Sequence, residues 1–220
     1  MTAPVMRPER VQSLGEEIAN SVTHGLGVVG SLVALPLLVI AGLPHGVGMA
    51  IGNAVFGGSL VLLYLSSTLY HSLARNRAKR VLRIIDHSAI YILIAGTYTP
   101  FLFGVLRGVW GWSLFGVVWG IAVLGVVVTA VLGVRFPRAS VAVYILMGWL
   151  IVVAVKPLTT HLPPAGLAWL AAGGLAYTGG TAFYGWGRLR YHHTIWHLFV
   201  LTGSACHFIA VLRYAAPPLA

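Results

Sequence analysis

Two histidines four residues apart, His193 and His197, open an apolar run that reads HHTIWHLFVLTGSACHF from residue 192 to 208. On a helix that spacing puts both imidazoles on one face, where they can hold a single metal ion. His71 ends an earlier apolar run four residues before Arg75, and Asp86 opens the next one three residues after Arg83. At about 1.5 Å rise per residue, all four lie within one or two turns of basic residues, so three helices deliver them to a similar depth. Three imidazole nitrogens with a fourth position left to water are the donor set of a catalytic zinc site, whereas structural sites are closed by four ligands. Imidazole also suits copper, iron and nickel. Asp86, the one Asp in the chain, stands where it can orient a ligand or take a proton from water. Ser67, one turn deeper than His71 on the same face, can hold that water or a developing oxyanion. The expected ligands are therefore His71, His193 and His197, and the expected catalytic residues Asp86 and Ser67. Zinc there would bring the pKa of a water to about 7, which suits hydrolysis of an amide or ester whose acyl chain lies in a bilayer.

The other titratable residues are weighed against these. His24, in EIANSVTH, lies at a similar depth and competes for the ligand role; its more modest reading is an interhelical hydrogen bond together with Asn20 and Glu17. His207 is ten residues beyond His197, about 15 Å deeper, and cannot share that metal; it lines the same cavity or is a satisfied buried histidine. His87 and His192 point about 100° away from their neighbours. His45 and His161 fall in loops at the far end. Cys206, the only cysteine, leaves no intrachain disulfide to form and is read as a small buried residue.

The elements that position these residues must be membrane helices. The chain is 58% hydrophobic and 8% charged over 220 residues, with a mean hydropathy of +0.89; soluble domains carry roughly 25% charged residues. Seven apolar stretches are long enough to span a bilayer, near 20–43, 47–71, 84–106, 109–133, 139–155, 165–187 and 193–213. The expected fold class is all-α, a polytopic seven-transmembrane-helix bundle. It comprises one domain, 20–214, preceded by a cytoplasmic segment, 1–19, that lacks the apolar core of a cleavable signal peptide. Glycine-rich stretches such as GGLAYTGGTAFYGWG are read as small-residue packing surfaces between helices.

The net charge of +10 is a topology signal. Arg7, Arg10, Arg75, Arg77, Lys79, Arg80, Arg83, Arg135, Arg138, Arg188 and Arg190 share one side, against Arg107, Lys156 and Arg213 on the other. The positive-inside rule then puts the N-terminus in the cytoplasm and the C-terminus outside. The expected location is the cell (plasma or inner) membrane with multiple passes, the expected partners are membrane lipids as substrate, and no nucleic-acid or protein partner is expected.

Four ordered motifs complete the reading: ExxNxxTH at Glu17, Asn20, Thr23 and His24; SxxxH at Ser67 and His71; DHSAIYILIAGTYTPF from Asp86; and HxxxH at His193 and His197 with His207 following. Together they resemble the hemolysin III group of the progestin and adipoQ receptor family, over nearly the whole chain. The resemblance implies zinc (Zn2+) held in the membrane on the cytoplasmic side by His71, His193 and His197, with Ser67 and Asp86 reaching it through water. Through the related alkaline ceramidases it implies a zinc-dependent lipid amide hydrolase. The alternatives are a pore-forming cytolysin, as the family's name suggests, or a receptor or sensor in which zinc is structural.

Overall fold

The computed structural model describes residues 12–74 and 76–217; Arg7, Arg10 and Arg75, counted in the charge bias above, lie outside them. Among the described residues the secondary structure is entirely helical. Helix α1 (Leu14–Gly42) begins at a capping box, in which Ser13 Oγ accepts the Glu16 N–H and the Glu16 carboxylate accepts the Ser13 N–H. That satisfies two donors a helix start leaves open, which is why α1 begins before the apolar run at residue 20. A short 3-10 turn (Leu43–His45) leads into α2 (Val47–Ser72). Helix α3 (Arg77–Phe103) also starts earlier than its apolar stretch, because Asn76 Oδ1 caps it by accepting the Lys79 N–H at 2.8 Å. Then come α4 (Val109–Leu132), α5 (Pro137–Trp149), α6 (Val155–His161), α7 (Pro164–Gly185) and α8 (His192–Tyr214).

Six segments are long and apolar enough to cross a membrane: Leu14–His45, Val47–Ser72, Arg77–Phe103, Val109–Leu132, Pro137–His161 and His192–Tyr214. Helix α7 matches them in length, with 22 residues, but carries glycine, threonine and tyrosine where the others carry aliphatic side chains. The protein is thus a multi-pass membrane protein. Its outer surface agrees: Val22, Leu26, Val29, Val33, Leu37 and Ile40 lie exposed along α1, a cost in water that vanishes against lipid tails.

Helix α1 packs between α2 and α8, α2 packs on α3, α3 on α4, and α7 on α8, while α5 touches α3, α4 and α7. The helices so arranged line a cavity that is partly open to the outside. Close approach depends on glycine where rings cross: a Cβ on Gly27 of α1 would lie 2.5 Å from the Tyr64 ring of α2, so any larger residue would push the two helices apart.

The fifth spanning segment is broken. Between α5 and α6, residues Leu150–Ala154 form a 3-10 turn, and Pro157 lacks the N–H that an unbroken α-helix would bond to Val153. Broken backbone in an apolar environment needs other partners, and Tyr98 of α3 supplies them: its hydroxyl accepts the Ile151 N–H at 2.9 Å and shares its proton between the carbonyls of Met147 (2.9 Å) and Gly148 (2.8 Å). Tyr98→Phe should therefore leave these groups unpaired and cost about 1–3 kcal/mol. The measurement is the unfolding midpoint in detergent, and a midpoint equal to wild type would mean the break does not rely on Tyr98.

Candidate metal centre

The first three turns of α1 carry a polar strip, Glu16, Glu17, Asn20, Thr23 and His24, that faces the ends of α2 and α8. Asn20 Oδ1 accepts from Thr194 Oγ1 and its Nδ2 donates to Gln12 Oε1, both at 2.6 Å. Glu16 Oε1 accepts the backbone N–H of Tyr191 at 2.9 Å. Tyr191 is the one non-glycine residue at positive φ among those described, at 59°, a conformation that costs about 1–3 kcal/mol for such a residue. It turns the chain into α8 so that His193 and His197 face α1 and α2.

There the expected ligands meet. One nitrogen each from His71, His193 and His197 lies within 4.8 Å of the other two, and the ring centroids are 5.1, 5.2 and 4.6 Å apart for His71–His193, His71–His197 and His193–His197. A point between three such atoms is at most about 2.8 Å from each, so movements under about 1 Å reach the 2.0–2.1 Å of a metal–imidazole bond.

The hydrogen bonds identify which nitrogens are available. His71 Nδ1 donates to Glu17 Oε2 at 2.7 Å, and Asn20 Nδ2, at 3.5 Å from the same nitrogen, is too far to compete for it. His197 Nδ1 donates to the Asn20 carbonyl and to Thr23 Oγ1, both at 3.2 Å, while the Thr23 hydroxyl is spent on the Ala19 and Asn20 carbonyls. The acceptors thus assign both protons to Nδ1, leaving Nε2 with its lone pair. His71 Nε2 is buried and has no hydrogen-bond partner, a state that costs free energy unless something takes it. The donor set fits a metal.

His24 departs from expectation. It makes no hydrogen bond with Asn20 or Glu17; both of its ring nitrogens are buried without partners. Asn20 and Glu17 turn instead to Thr194 and His71, and the His24 ring stacks on His197 with centroids 3.4 Å apart and planes 10° from parallel. A metal sits near the plane of each imidazole it binds, so two rings stacked this closely cannot share one ion. His24 is a wall of the site.

Asp86 and Ser67 are buried and line the same cavity as His193 and His197. Ser67 Oγ is buried beside the Asp86 carboxylate. The cavity measures about 440 Å³, within the range of small-ligand sites, and runs from these polar residues along apolar walls to Leu158, Leu167 and His207. His207 is therefore a residue of the far end, with Nε2 donating to the Leu170 carbonyl at 3.3 Å. His87, read as pointing away, also reaches the cavity wall. Sequence reasoning missed Glu17 as the partner of His71 and Lys79 as the partner of Glu17. The signals were the charge of a carboxylate at the start of an apolar run and its place in the ExxNxxTH motif, where it was paired with His24 instead.

The family described as haemolysin-III related matches residues 12–208. The chain is 50% identical over 203 residues to the hemolysin-3 homolog of Bacillus subtilis (strain 168), covering 92% of this chain and 95% of that protein. It is 48% identical over 207 residues to hemolysin-3 of Bacillus cereus, covering 94% of each. The human monocyte to macrophage differentiation factor is 28% identical over 209 residues, 90% of this chain and 84% of that protein. No solved structure matches the chain.

Proposed function

The chain belongs to the haemolysin-III-related family, and from that membership together with the converging imidazoles we propose that it is a zinc-dependent hydrolase of a lipid amide. The observation that carries this reading is the partnerless Nε2 of His71, facing two further imidazoles at one end of an elongated apolar cavity. His71, His193 and His197 would hold the ion. Bound there, zinc supplies Lewis acidity toward a water and a carbonyl. Asp86 then serves as the proton acceptor for the attacking water and returns the proton to the leaving nitrogen. The Ser67 hydroxyl donates to the carbonyl oxygen as it gains charge. The apolar walls hold the acyl chain, which excludes bulk water from the reacting end.

In this reading α7 is a seventh span, since 22 residues at about 1.5 Å each cover the hydrocarbon core. Seven spans put the termini on opposite faces, and the basic bias of the α2–α3, α4–α5 and α7–α8 connections supports a cytoplasmic N-terminus and metal site. The partner is then a lipid of the same membrane.

The test is release of fatty acid, followed by mass spectrometry, from a panel of N-acyl lipids in detergent micelles, with protein stripped of metal and then restored with zinc. Fatty acid released only by the zinc-restored protein is the expected result. No release from any lipid, together with ion conductance in liposomes that survives metal stripping, would replace this reading with a pore.

A further inference from the structure

We propose that Glu17 is the residue that positions His71 for its metal, and that Lys79 acts on the metal site chiefly by holding Glu17. This rests on the metal-site reading above. The carboxylate of Glu17 bridges two helices: Oε2 accepts from His71 Nδ1 at 2.7 Å and Oε1 accepts from Lys79 Nζ at 2.8 Å. Lys79 Nζ also donates to the Leu73 carbonyl at 3.0 Å, and it lies 5.0 Å from the centroid of the Tyr70 ring, which in turn packs 4.6 Å from the His71 ring. The connection between α2 and α3 is thereby tied to a ligand of the candidate centre.

The three side chains grade outward, with 2% of the His71 side chain exposed, 12% of Lys79 and 23% of Glu17. A carboxylate so near water would turn to solvent were it not held, and Lys79 holds it. His71 differs in this from His197, whose Nδ1 faces the neutral Asn20 carbonyl and Thr23 hydroxyl. A carboxylate behind a ligand imidazole fixes the ring and raises its basicity, and losing such a partner weakens metal binding about 10–100-fold. Without an acceptor at Nδ1 the proton is also free to move to Nε2, where it blocks the metal.

Zinc affinity of the detergent-purified full chain, measured by competition with a chromophoric chelator, tests this without any substrate. Glu17→Leu should weaken binding about 10–100-fold, Glu17→Gln, which keeps an acceptor, should recover most of that loss, and Lys79→Met should fall between wild type and Glu17→Leu. In the Glu17→Leu background, Lys79→Met should add little, because Met keeps an apolar stem against the Tyr70 ring and removes chiefly the charge that held Glu17. Wild-type affinity in Glu17→Leu, or full additivity of the two changes, overturns the proposal alone. A wild type that binds no zinc overturns the metal reading and this proposal with it. Should Glu17→Leu fail to fold, nitrogen-15 spectra of histidine-labelled wild type decide: zinc on His71 Nε2 with the proton kept on Nδ1 is expected, and zinc on Nδ1 refutes it.

Discussion

Alanine at His71 or at His193 is expected to take the purified protein from about one metal ion per chain to essentially none, because a site of three protein ligands becomes one of two. The two residues sit on different helices, α2 and α8, so a shared loss cannot be put down to one damaged element. His24→Ala is the informative control. Its ring lies 3.4 Å from that of His197, so the change disturbs the packing of the site as much as a ligand mutation does, yet stacking bars it from the coordination sphere. It should keep the metal. Metal per chain by mass spectrometry reads all three variants. Retention in both His71→Ala and His193→Ala would mean the three imidazoles are not the ligands, and loss in His24→Ala alone would move the site toward α1.

The meeting of His71 with His193 and His197 was legible because its signals are local: an i, i+4 pair on one helix and one further histidine at the end of an apolar run, each anchored in depth by nearby basic residues. The helical class and most of the spans were legible for the same reason, since length and apolarity decide whether a segment can cross a bilayer. What the sequence hid is what depends on contacts between distant residues. Glu17 and His71 are 54 residues apart, and nothing local distinguishes a carboxylate that will meet an imidazole from one that will meet water. The interruption at Leu150–Ala154 was not read from the sequence, and its tolerance depends on a hydroxyl from Tyr98, 53 residues away from Ile151. His24 was read as a hydrogen-bonding residue on its type alone; its stacking on His197, 173 positions later, follows from α1 lying against α8.

Asp86→Asn should keep the metal and lose turnover by about 10²–10⁴-fold, the usual share of a general base. Asparagine has nearly the same shape and still accepts a hydrogen bond, so packing around this buried residue should survive and only proton acceptance is removed. No other carboxylate lines the cavity among the described residues, so no neighbouring carboxylate can take over the proton. The imidazoles cannot substitute while they serve as ligands, since their lone pairs are engaged, and His24, although its nitrogens are partnerless, stacks flat against His197 and would charge beside a ligand to a cation. Two measurements on the same preparation separate the roles of Asp86: zinc content and fatty-acid release. Full zinc with wild-type release would remove Asp86 from the proposed chemistry, whereas loss of zinc along with release would make Asp86 part of what holds the ion in place.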